Sequence, residues 1–120
     1  MKKSISLADL PKGGPYSHAV VLDNLVFVSG QTGQVPGRET GFEEQFNNVM
    51  AKIKKILEEA GSSFDKVLKV SVYLANRSDF QKMNELFGRY FGREPPARTT
   101  VIAGFVDPSI LVEVDVIASK

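Results

Sequence analysis

Twice between residues 42 and 103 the hydrophobic period of this chain switches from helical to alternating, and that double switch most restricts its fold. Phe42, Phe46, Val49, Ile53, Ile56, Leu57 and Ala60 recur three and four apart, which places them on one face of a helix. Thr40 and Glu43 have capping-box spacing at its start, and Gly61 supplies a stop. VLKVSVYL follows, with Leu68, Val70, Val72 and Leu74 as the apolar face of a strand. The pattern then repeats. Ser78 and Gln81 offer a second capping box, Phe80, Met83, Phe87, Tyr90 and Phe91 form the core side of a second helix, and Gly92 ends it. Pro95-Pro96 forces an extended entry to a strand over 98–103.

Upstream, after an irregular start ending at Gly13-Gly14-Pro15, two apolar runs (19–22 and 25–29) flank Asp23-Asn24, which predicts a tight hairpin. A glycine-rich loop over 30–41 leads to the first helix, and a last strand runs over 111–118. The order is ββαβαββ, an α+β fold with a mixed sheet. Right-handed crossovers put both helices on one face of that sheet. Val112, Val114, Val116 and Ala118 then face the helices, while Leu111, Glu113, Asp115 and Ile117 face away beside Leu25, Phe27 and Tyr73. That second face is too apolar for bulk water and too polar for a core. A subunit interface carrying functional groups fits it, with an open amphipathic antiparallel face as the alternative.

At 120 residues and 42% hydrophobic, the chain suits one domain, 1–120, and its high surface-to-volume ratio favours association with copies of itself. Fifteen Lys and Arg against 14 Asp and Glu leave a net charge of +1, so nucleic acid is not the expected partner. Lys52, Lys54 and Lys55 read as the solvated face of the first helix. No cysteine and a single histidine exclude disulfides, thiol nucleophiles and zinc sites built from Cys or paired His. No acidic cluster points to magnesium, and neither metal nor cofactor is expected. MKKSISLADLP has no apolar run of signal-peptide length and no stretch approaches a membrane span, so a soluble cytoplasmic protein is expected. The sequon at Asn76-Arg77-Ser78 is read as a chance match.

Few residues remain that carry chemistry. Arg98 opens a strand behind two prolines, so its guanidinium has a fixed root suited to bidentate recognition of a carboxylate; the alternative is an ordinary surface or ion-paired arginine. Glu113, flanked by valines, either activates water or neutralises Arg98. Tyr16 follows a Gly-Gly-Pro turn that projects its phenol toward a cleft. Ser17 and His18 are adjacent in an extended segment and point to opposite sides, which excludes a nucleophile–base pair and makes His18 structural. The loop GQTGQVPG lacks both GxGxxG spacing and a Walker lysine, and is a weak phosphate signal.

GPYSHAV, VFVSGQTG, Ala60-Gly61, KVSVYL, NELFGRYF, PPARTTV and LVEVDVIA occur in an order and at spacings that resemble the RidA (YjgF) family of imine and enamine deaminases, over roughly residues 14–119. The resemblance implies a chorismate-mutase-like fold assembled as a homotrimer with clefts between subunits. In such a cleft Arg98 would hold the carboxylate of a 2-imino or 2-keto acid and Glu113 would activate water. Tyr16 would line the cleft, Ser29 and Gly30 would shape its wall, and Thr100 would sit near the ligand. Asn84 and Phe87 lie in a helix that would approach a neighbour's cleft. His18 stands where members commonly carry Gln, Thr100 where many carry Cys, and the 32–41 loop is shorter than in many. The implied activity is hydrolysis of reactive 2-imino acids to 2-keto acids and ammonia. The competing readings are a non-catalytic carboxylate-binding module and, against the near-neutral charge, RNA cleavage.

Overall fold

The computed structural model describes residues 1–120. In chain order the elements are β1 (Lys3–Ile5), β2 (Ala19–Leu22), β3 (Leu25–Thr32), α1 (Phe42–Glu59), β4 (Val67–Leu74), α2 (Phe80–Phe91), β5 (Ala97–Ile102) and β6 (Val112–Ser119). Asp23-Asn24 closes the expected hairpin: Leu22 opposes Leu25, and Asp23 takes the positive φ (53°) that such a two-residue turn requires. One sheet results, in the order β1-β2-β3-β6-β4-β5. β6 lies between β3 and β4, antiparallel to both, and β5 pairs with β4 in parallel. Each helix therefore connects two parallel strands, as the alternating periods require. No helix is long and apolar enough to cross a membrane.

The helices cover one face, and the core lies between them and the sheet. Val112, Val114, Val116 and Ala118 are buried there with Val26, Val28, Val70, Val72 and Leu74, against Phe46, Val49, Met50, Ile53, Ile56 and Leu57 of α1 and Met83, Leu86 and Phe87 of α2. A chain of edge-on and tilted rings (Phe46, Tyr90, Phe64, Phe91, Phe87, with centroids 4.6–6.0 Å apart) joins the helices. Helix α1 ends in a Schellman motif: Gly61 (φ 82°) donates to the Glu58 carbonyl and Ser62 to the Leu57 carbonyl.

Four local expectations are corrected. Lys3–Ile5, read as irregular, pairs with β2, with Ser4 opposite Val20; three residues carry too little pattern to announce a strand. β3 continues through Gly30 to Thr32, because Ser29 and Gly30 form a bulge opposite Asp115. A second bulge throws Leu68 out to 51% exposure and puts Val67 on the core face instead. Neither capping box forms. Gly41 is the N-cap of α1 and Thr40 Oγ1 accepts from Gln45 Nε2 at 3.0 Å, while a 3-10 turn over Arg77–Asp79 moves Ser78 outside the cap of α2.

Candidate functional site

The β3 bulge shapes one wall of a concavity of about 610 Å³. Ser29, Gly30, Gln31 and Thr32 line it with Tyr16, Gln34, Lys52 and Glu113. Glu113 sits opposite Thr32 on β6 and its carboxylate rests against Gly30, where a Cβ would overlap it. Only glycine therefore lets this carboxylate sit beside the strand. Half-burial pushes the Glu113 carboxyl above the ordinary glutamate range, and the charge of Asp115, the next residue on the same face, pushes it further. Asp115 is turned to Tyr73, whose hydroxyl donates to it at 3.1 Å.

The rim is fixed by the segment that precedes β2. The Ser29 amide donates to the His18 carbonyl (2.9 Å) and its hydroxyl to the Ser17 carbonyl (2.7 Å). His18 is completely buried; its Nδ1 accepts the Leu7 N–H at 2.9 Å and its Nε2 lies 3.4 Å from the Pro11 carbonyl. A neutral ring protonated on Nε2 satisfies both contacts. His18 is thus structural, and it holds in place the segment that delivers Pro11 and Lys12 to the concavity. Tyr16 is 43% exposed and its hydroxyl accepts the Gly13 N–H at 3.0 Å, which folds the phenol against its own turn.

Arg98 belongs to a different place. It pairs with core-facing Val70 in the β4–β5 register and points to the helix side of the edge strand. Its guanidinium carbon lies 4.8 Å from the Phe87 ring centroid and 5.9 Å from that of Phe80, and Nη1 is 3.5 Å from Met83 Sδ. Burial lowers its pKa from the ordinary arginine value; the group remains a cation resting on aromatic faces. Phe87 is buried beneath it, and Asn84 is exposed on the same helix. Thr100, two residues along β5, has a buried Oγ1 without a hydrogen-bond partner. Arg98 and Thr100 thus share the helix-facing side of β5, with Phe87 of α2 against the guanidinium. The structure does not join them to Tyr16, Ser29, Gly30 and Glu113 within one chain: Glu113 faces away from the helices, Arg98 faces them, and β4 separates their strands.

A one-layer mixed sheet backed by two helices, with Glu113 and Arg98 on opposite faces of it, is the architecture to be compared with known proteins. The family model described as Endoribonuclease L-PSP matches residues 8–120, and the chain belongs to that family, the RidA (YjgF) family. Among its relatives, a RutC family protein of Pyrococcus abyssi is 44% identical over 113 residues, covering 89% of this chain and 87% of that protein. The 2-iminobutanoate/2-iminopropanoate deaminase of Bos taurus is 35% identical over 126 residues, covering 98% of this chain and 90% of that one. The crystal structure of RidA from an Antarctic Psychrobacter species superposes with a TM-score of 0.89 at 36% identity, covering 98% of this chain and 99% of that one.

Two features of the site escaped the sequence reading. Lys52 does not sit with exposed Lys54 and Lys55 but reaches inward, its Nζ 2.7 Å from the Thr32 carbonyl. Its spacing from Val49 (three residues) and Ile56 (four) places it at the edge of the apolar stripe, and that was the signal. Gln45 is fully buried: its Nε2 donates to Thr40 Oγ1 (3.0 Å) and the Ser109 carbonyl (2.8 Å), and its Oε1 accepts the Leu111 N–H (2.9 Å). It pins the chain entering β6, and so Glu113, to the first turn of α1.

Proposed function

We propose that this protein hydrolyses 2-imino acids to 2-keto acids and ammonia in clefts between the subunits of a homotrimer, each cleft combining the Glu113 half-site of one copy with the Arg98 half-site of the next. The observation that carries this reading is that neither residue is neutralised within its chain. The five ion pairs of the molecule involve neither of them, and the two lie on opposite faces of the sheet. An arginine seated on two rings without a carboxylate awaits an anion. A carboxyl pushed upward by burial is a better base than an ordinary glutamate. The uncovered sheet face supports assembly: Leu25, Phe27 and Val101 stand 39–44% exposed around Tyr73 and Ile117.

In this cleft Arg98 binds the substrate carboxylate in two-pronged fashion and so orients the adjacent C=N carbon. Glu113 takes a proton from water as the oxygen attacks that carbon and passes it to the imine nitrogen, which gives a neutral carbinolamine. The regenerated carboxylate then takes the proton of the new hydroxyl and delivers it to the amine as the C–N bond breaks, leaving the 2-keto acid, ammonia and an ionised Glu113. A single base of this kind contributes roughly 10²–10⁴-fold, enough for imines that already hydrolyse readily. RNA cleavage by an imidazole finds no support, because the one histidine is buried with both ring nitrogens engaged.

The test is a coupled assay in which threonine or serine dehydratase supplies the imino acid. The protein is expected to accelerate ammonia release, Arg98→Ala to abolish that acceleration, and Glu113→Gln to reduce it at least about 100-fold. Unchanged rates in either variant would refute the assignment. Keto-acid binding that depends on Arg98 but comes with no turnover would establish the carboxylate-binding reading instead.

A further inference from the structure

Lys52 lines the Glu113 concavity, and the reaction proposed above does not use it. Its stem leaves the flank of α1 and brings Nζ to the Thr32 carbonyl, directly across the β3–β6 ladder from Glu113. That bond occupies one of three N–H groups. None of the five ion pairs includes Lys52, and its half-burial is unfavourable to the ammonium. Lys12 lines the same concavity with its Nζ donating to Ser6 Oγ at 3.1 Å, and a monocarboxylic imino acid held by Arg98 brings no anion to Lys52. Gln34 lines the concavity as well, and its buried Oε1 has no hydrogen-bond partner.

Resting on the imino-acid reading of the cleft, we propose that its preferred substrates carry a second carboxylate at the far end of the side chain and that Lys52 binds it, with Gln34 alongside. A concavity of about 610 Å³ holds a four- or five-carbon dicarboxylic acid with room to spare.

Stable 2-keto acids test this by titration calorimetry on the assembled protein. 2-Oxoglutarate and 2-oxopentanoate have the same carbon count and differ in a terminal carboxylate or methyl. The wild type is expected to bind 2-oxoglutarate about tenfold or more tightly than 2-oxopentanoate, which corresponds to roughly 1.4 kcal/mol. Lys52→Met is expected to bring that ratio to about one through loss on the dicarboxylate, while Lys52→Arg keeps it, thermal melts confirming that both variants fold. Equal affinities in the wild type, or a preference that survives Lys52→Met, would overturn the proposal. If the wild type still hydrolyses 2-iminobutanoate in that case, the dicarboxylate preference alone has failed. If it neither hydrolyses the imine nor binds either keto acid, the reading of the cleft has failed as well.

Discussion

Glu113 is held in a place that suits chemistry better than stability. Its ionised form suffers from half-burial and from Asp115, so the folded protein binds a proton there more readily than the unfolded chain does. The sign follows from linkage: the advantage to folding is complete below the unfolded carboxyl's pKa and is lost as pH rises through the folded one. At neutral pH the charge therefore opposes folding. Glu113→Gln is expected to melt at or above the wild-type temperature while losing activity, and a melt well below wild type would contradict this. The base proposed at Glu113 must be ionised to act, so the acid limb of kcat/KM is expected above the ordinary glutamate range. Asp115→Asn should shift that limb to lower pH by removing a neighbouring negative charge, which a pH–rate profile would read directly. The same side chain shows what a sequence leaves open at this scale. Alternation puts Glu113 and Asp115 together on the uncovered face, but the half-burial that raises the Glu113 pKa comes only with sheet pairing, which sets its carboxylate against Gly30 of β3.

At the scale of elements, helical and strand periods fix where α1, β4, α2 and β6 lie, because burying one apolar face is the same problem in any tertiary setting. Bulges and caps depend on partners, and those are what the sequence conceals. Ser29-Gly30 bulges because Asp115 is the single residue across from it, and Leu68 is expelled because Val67 and Lys69 meet Ala118 and Ile117. Gln45 is the clearest case, a polar residue among Glu43, Glu44, Asn47 and Asn48 that is alone in being fully buried, with partners as far away as Ser109 and Leu111. Gln45→Leu would remove the side-chain links from the first turn of α1 to the Ser109 carbonyl and the Leu111 N–H. It is expected to cost about 1–3 kcal/mol of stability, measured by denaturant melts. A loss below about 1 kcal/mol would mean that this link does not secure the entry to β6.

At the scale of the whole molecule, the two half-sites predict complementation. Arg98→Ala and Glu113→Gln should each be inactive alone, yet subunits of the two mixed at random should regain about one quarter of wild-type activity, because one cleft in four joins an intact Glu113 to an intact Arg98. No recovery in verified mixed trimers would show that the two residues do not act together across an interface. What the sequence determined by itself is whatever repeats locally: the two helices, the paired crossovers, the hairpin at Asp23-Asn24, the face on which each valine of β6 is buried, and the family resemblance carried by ordered motifs. What the tertiary structure alone decided is which side chains meet. Arg98 and Glu113 lie fifteen residues apart in the chain and on opposite sides of the sheet, since Arg98 pairs with core-facing Val70 and Glu113 with Tyr73, and β4 separates their strands. Periodicity assigns a residue to a face of its own element; strand order and register decide what faces it.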